Sequence, residues 1–122
     1  MCGIAGLFAY DGSAAPVDRD ALRRMNDAMI ARGPDGEGIW VADNSRTGFA
    51  HRRLSIIDLS DSGAQPMEMD GGRLIITYNG EIYNFRELRT ELEQQGRRFQ
   101  SGSDTEVLLH LYDRDGADMV EK

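Results

Sequence analysis

Met1-Cys2-Gly3-Ile4-Ala5-Gly6-Leu7-Phe8 opens the chain and decides how the rest is read. Its cysteine is the only one among 122 residues, and it directly follows the initiator methionine. Removal of Met1 would leave Cys2 with a thiol and a free α-amine on one residue. A thiol is the least weak of the side-chain nucleophiles at neutral pH. The amine, with an ordinary pKa of roughly 7.7–8.0, can act as its base without any histidine. The apolar, glycine-rich run from Gly3 to Phe8 predicts a buried strand that holds Cys2 at its tip. Glycines within a strand mark close approach of other backbone or of a ligand. The competing reading is an incidental cysteine at a frayed start, and these eight residues leave both open.

The bulk composition narrows the class. A chain of 122 residues suits one domain or part of one, and is long enough to bury a core. Hydrophobic residues at 40% and charged residues at 29% give an ordinary globular balance. The formal net charge of −7 argues against nucleic acid or an anionic membrane as the main partner. A single cysteine excludes an internal disulfide framework and fits a reducing, cytoplasmic setting. His51 and His110 are the only histidines and show no metal-ligand spacing, so no metal is expected. No apolar run is long enough for a transmembrane helix, and the start lacks the pattern of a signal peptide.

Along the chain, loop residues around Asp11-Gly12-Ser13 lead to Asp18, which can cap a helix from Arg19 to Ala31. Leu22, Met25 and Met29 supply its predicted core face. Arg32-Gly33-Pro34-Asp35-Gly36-Glu37-Gly38 reads as a tight structural loop without the lysine and Ser/Thr of a phosphate-binding loop. A short strand follows at Ile39 to Ala42, and another lies within Phe49 to Asp58. Leu59 to Pro66 is loop. Met67 to Met69 and Arg73 to Tyr78, across Asp70-Gly71-Gly72, predict a β-hairpin. Asn84, with Glu87 at the capping-box position, predicts a helix from Phe85 to Gln95 with Phe85, Leu88 and Leu92 buried. Arg97 to Gln100 is strand-like. Ser103 and Glu106 form a second capping box ahead of a helix through Val107, Leu108, Leu111 and Tyr112. After Gly116 the chain looks like the start of a further helix.

Taken together and in this order, M-C-G-I-A-G, R-G-P-D-G-E-G, H-R-R-L-S-I-I-D-L-S, G-A-Q-P-M, Y-N-G-E-I-Y-N and S-G-S-D-T-E-V resemble the class II glutamine amidotransferases, which are N-terminal-nucleophile hydrolases. The H-R-R-L-S-I-I-D, G-A-Q-P and Y-N-G-E-I-Y-N forms are similar to the glutaminase domain of glutamine-hydrolysing asparagine synthetases. The resemblance spans essentially the whole chain. It implies an α+β fold, a four-layer α/β/β/α sandwich, of which residues 1–122 are the N-terminal part. It further implies that the fold continues past Lys122 and that the synthetase domain lies outside this chain.

The resemblance also implies roles. Cys2 is the nucleophile and supplies the amine. Arg53 binds the glutamine carboxylate, for which a planar guanidinium is suited. Asn79 and Gly80 form the oxyanion hole. Glu81 and Asp104 bind the glutamine amino group. The glutaminase step needs no cofactor, whereas the synthetase domain uses ATP and magnesium to convert aspartate to asparagine with the released ammonia. Glutamine and that domain are the implied partners, and a homodimer is compatible with the family. The alternatives are the glutaminase half of another amidotransferase, with a peptide or sugar-phosphate acceptor, and an inactive fragment.

Each residue also has an ordinary structural reading. Neighbours in a strand point to opposite faces, so Arg53 toward the site leaves Arg52 as a solvated surface charge. His51 is expected to make structural hydrogen bonds. Asp104 suits the first turn of a helix on dipole grounds alone. Asn79-Gly80 would otherwise be a plain turn, Tyr78 and Tyr83 packing, and His110 core or surface.

Overall fold

The computed structural model describes residues 2–55 and 61–121. Among these the fold is α+β, with a three-stranded sheet, a two-stranded sheet and three α-helices. The residues divide into two compact units, the first comprising 2–55, 64–66 and 77–80, the second 61–63, 67–76 and 81–121.

The first unit is built on the antiparallel order β1-β3-β2, with β1 at Gly3–Phe8, β2 at Gly36–Val41 and β3 at Thr47–Arg53. Gly3 faces Arg52 across β1 and β3, and Gly36 faces Arg53 across β2 and β3. Helix α1, Arg19–Ala28, starts as the sequence predicts: the Asp18 carboxylate accepts from the Asp20 N–H at 2.9 Å. It ends three residues earlier than expected. Leu22 is fully buried, but Met25 is exposed and the next buried position is Asn26. The methionine stripe is therefore only partly core. The helix lies close to the sheet because its contact points lack side chains. A Cβ on Gly48 would overlap Leu22 and Val17, and one on Gly3 would overlap Met29.

The other sheet face carries Trp40 stacked on its cross-strand partner Phe49, with ring centroids 5.7 Å apart. On that face Phe8 is 68% exposed and Ile4 45% exposed. Strand β2 begins at Gly36, so the last three residues of the expected glycine loop are strand. The tight turn is confined to the residues before it. Residues 56–60, which end the Phe49–Asp58 stretch and begin the expected Leu59–Pro66 loop, lie outside the described residues, as do Met1 and Lys122.

In the second unit, β4 (Met67–Met69) and β5 (Leu74–Ile76) form the expected hairpin. Asp70, Gly71 and Gly72 all take positive φ at its turn, which explains the two glycines. Strand β5 stops at Ile76 rather than Tyr78, and Asn79-Gly80 forms no hairpin. Helix α2 spans Phe85–Gln94, but Asn84 makes no side-chain cap. Its ψ of 19° is not the extended conformation that aims a capping side chain at the helix start. Helix α3 spans Asp104–Asp115 and is capped by Ser103, which accepts from the Thr105 N–H at 3.2 Å. Leu92, Val107 and Leu111 form the core, joined by Phe85, Leu88, Phe99 and Met119. Arg97 to Gln100 forms no strand, although Phe99 packs inward. Short 3-10 turns occur at Asp61–Gly63 and Gly116–Glu121, the latter where a further helix was expected. Arg73 and Arg97 both bond Asp113, which fastens the turn of the hairpin to α3 and holds that carboxyl below its ordinary range.

Candidate active site

Cys2 immediately precedes β1, and pairing of β1 with β3 carries it to the end of β3. There the Leu54 backbone N–H donates to Cys2 Sγ at 3.3 Å, and the thiol points back at the Leu54 carbonyl at 3.6 Å. The thiol is half-buried and thus sits beside the residue that follows Arg53. From the loop before β2, Arg32 Nε donates to the Cys2 carbonyl at 3.2 Å. The loop is then stitched to the end of β3. The Asp35 N–H donates to the Arg53 carbonyl at 3.0 Å, and the Asp35 carboxylate accepts from the Ser55 N–H at 3.0 Å. Gly33 must be glycine, because a Cβ there would overlap the Arg52 carbonyl. Arg32 and Asp35 build the site from a loop that the sequence marked as a structural turn and a family motif, without giving either residue a role. Their signal was the density of glycine and proline around them, which marks a specified turn but not its partner.

Arg52 and Arg53 part company as the strand pleat requires, but not as expected for Arg52. Its guanidinium is buried, bonding the Asn26 carbonyl at 3.0 Å, Asp27 at 2.7 Å and Glu37 at 2.9 Å. It is a structural cation that joins α1, β2 and β3, not a solvated charge. The acids on α1 and β2 make its burial tolerable, since an unpaired buried charge would be costly. Asn26 also donates to Glu37 at 3.4 Å.

His51 is fully buried, as a structural role requires, with Nδ1 3.0 Å from Thr77 Oγ1. Burial, aided by the nearby Arg53 charge, lowers its pKa to about 4, so the ring is neutral at neutral pH. The Thr77 contact, with a 2.6 Å bond from the Tyr78 N–H to Gln65 Oε1, anchors the segment that leads to Asn79 and Gly80. Asn79 is half-buried and Gly80 exposed; a Cβ on Gly80 would overlap the Tyr78 ring.

Cys2, Arg53, Asn79 and Gly80 thus belong to the first unit, whereas Glu81 and Asp104 belong to the second. Within the second, Asp104 is buried and accepts from the Ile82 N–H at 3.1 Å, which places it next in line to exposed Glu81. Glu106 does not close the expected capping box on Ser103. It reaches back to the N–H groups of Gln100 (2.8 Å) and Ser101 (2.7 Å) and to Ser101 Oγ (2.6 Å), fixing the loop ahead of Asp104. His110 is buried against Phe99, at 4.4 Å between rings. Among the described residues no group of three or more His, Cys, Asp or Glu could hold a metal ion, and no helix is long and apolar enough to cross a membrane.

A model of the glutamine amidotransferase domain matches residues 1–122. The chain belongs to the glutamine amidotransferase domain family. This amidotransferase domain is 44% identical over 92% of its length to asparagine synthetase [glutamine-hydrolyzing] 1 of Bacillus subtilis, of which it covers 17%. It is 40% identical over 99% of its length to asparagine synthetase B of Escherichia coli, of which it covers 21%. Amidase chry2 of Gibberella zeae is 37% identical over 98% of the chain, which covers 19% of that protein. The domain therefore spans about a fifth of the length of these relatives.

Proposed function

We propose that this domain hydrolyses the side-chain amide of glutamine through a γ-glutamyl thioester on Cys2. The observation that carries the reading is the Cys2 thiol docked on the Leu54 backbone, one residue past Arg53. With Met1 removed, the α-amine takes the thiol proton and the thiolate attacks the amide carbon. Asn79 Nδ2 and the Gly80 N–H donate to the oxygen as it becomes an oxyanion. Collapse breaks the C–N bond, the proton passes to the leaving nitrogen, and ammonia departs. Water then cleaves the thioester to glutamate and restores the thiol. Arg53 pairs with the α-carboxylate of the substrate, and Glu81 and Asp104 with its ammonium. Arg32 fixes Cys2 through its carbonyl, so that the nucleophile and the Arg53 strand move together.

In the same proposal, residues 1–122 are the N-terminal part of a four-layer α/β/β/α sandwich, whose second sheet covers the face of Ile4, Phe8, Trp40 and Phe49. No cofactor serves the glutaminase step. The ammonia passes to an ATP- and magnesium-dependent synthetase domain that converts aspartate to asparagine, in a cytoplasmic protein that pairs as a homodimer and binds no nucleic acid. A relative named an amidase rather than an asparagine synthetase, Amidase chry2, matches 98% of the chain. The second reading is therefore the glutaminase half of another amidotransferase, with a peptide or sugar phosphate as acceptor.

The mechanism requires a free Cys2 amine. Full-length protein processed to Cys2, verified by intact mass, is expected to hydrolyse glutamine about 10²–10⁴ times faster than protein with an uncleaved N-terminal tag, the usual worth of a general base. Equal rates would refute the N-terminal-nucleophile mechanism. Cys2→Ala is expected to abolish glutamine use and spare synthesis from added ammonia.

A further inference from the structure

Gln65 belongs to the G-A-Q-P motif, for which the proposed chemistry has no use. Its backbone carbonyl lies against Gly38 of β2, so closely that a Cβ on Gly38 would overlap it. That contact places the Gln65 side chain, whose Oε1 accepts the Tyr78 N–H at 2.6 Å. One residue earlier, Thr77 Oγ1 meets the buried His51 ring of β3 at 3.0 Å. Residues 77–80 form no strand and no hairpin, so no sheet ladder sets their position. Side-chain hydrogen bonds at two consecutive residues tie them to His51 of β3 and to Gln65, whose backbone packs on β2. The next two residues are Asn79 and Gly80. An oxyanion donor works only within a few tenths of an ångström of its place, and a shift of about 1 Å can cost about 10²-fold.

We propose that Gln65 and Thr77 are positioning residues that set the place of the oxyanion donors Asn79 and Gly80 relative to the strand that carries Arg53. The proposal rests on the oxyanion-hole reading of those two residues. It makes Gln65 an acceptor first: what matters is an oxygen that faces the Tyr78 N–H. Thr77 contributes a hydroxyl, not bulk.

The test is steady-state glutaminase kinetics of the full-length protein, with folding followed by circular dichroism. Gln65→Leu is expected to lower kcat about tenfold or more with glutamine KM within about twofold, because the transition state loses stabilisation and the ground state keeps Arg53. Gln65→Glu, which keeps an acceptor oxygen, restores most of that loss. Thr77→Val lowers kcat and Thr77→Ser restores it; this pair decides the matter if Gln65→Leu does not fold. Asn79→Ala is measured beside them, together with Gln65→Leu/Asn79→Ala. If Asn79→Ala leaves kcat unchanged, the oxyanion reading fails, and this proposal with it. If Asn79→Ala lowers kcat but folded Gln65→Leu and Thr77→Val do not, the positioning role alone is overturned. A double variant that loses clearly less than the product of the two single losses supports it, since only the Gly80 donor is then left to be misplaced; losses that simply multiply overturn it, since the two changes would then act independently.

Discussion

The unit that carries Cys2 and the unit that carries Asp104 are held together internally by different means. In the first, the buried apolar side chains among the described residues are Ala9, Leu22 and Ala50. Its elements meet instead where side chains are missing, at Gly3, Gly33, Gly38 and Gly48, and through the buried polar residues Asn26, His51 and Arg52. In the second, Leu92, Val107 and Leu111 make an ordinary helix-packing core, with buried polar groups gathered at the start of α3. Backbone proximity leaves little slack around Cys2. A side-chain core tolerates rearrangement but loses energy when a side chain is trimmed. The two units should therefore fail in opposite ways, one to added atoms and the other to removed ones.

The largest effect is expected in the second unit. Leu92→Ala removes a fully buried side chain from the core and is expected to destabilise by about 2–5 kcal/mol, read from urea unfolding. A value below about 1 kcal/mol would mean that the α2–α3 core is not the support described. In the first unit, Gly38→Ala adds one carbon against the Gln65 carbonyl and is expected to cost about 1–3 kcal/mol, although alanine is otherwise easier than glycine to order in a strand. Gly12→Ala, which meets nothing within 4 Å, should stay within about 0.5 kcal/mol. Equal costs for the two glycines would end the comparison.

A further small effect concerns pH. His51 has its pKa lowered to about 4 in the folded protein, against about 6.5 when unfolded. Between those values the unfolded chain binds the extra proton. The stability that the neutral ring contributes is therefore complete above about pH 6.5 and is lost as pH falls toward 4. From pH 7 to pH 6 the loss from this group is expected to be below about 1 kcal/mol. A His51→Gln variant should lack this part of the pH slope, measured as unfolding free energy against pH. Identical slopes would show that His51 is not held neutral.

Local pattern was enough for the elements whose causes lie within a few residues. The Asp18 cap, the Asp70-Gly71-Gly72 hairpin turn and the Phe85, Leu88 and Leu92 stripe were all legible, because capping, turn geometry and helical period act over one to seven positions. The order of the motifs, begun by a single cysteine at position 2, was enough for the family. Misreadings fell where partners lie far along the chain. Arg52 looked like a surface charge because Asp27 and Glu37 are neighbours only after α1 folds onto the sheet. The expected caps at Asn84 and from Glu106 followed a local rule that backbone angle and competing N–H groups overrode.

The sequence by itself determined the family, most of the helices and strands, and which cysteine is the candidate nucleophile. Tertiary structure decided what each glycine makes room for, which of two adjacent arginines is buried, and how the thiol is held. The Cys2–Leu54 contact joins residues 52 apart, and Arg52–Asp27 joins residues 25 apart. Periodicity and propensity carry no information over such distances. They record what a residue prefers around it, whereas the identity of its neighbours is set only when strand pairing and helix docking bring remote segments together.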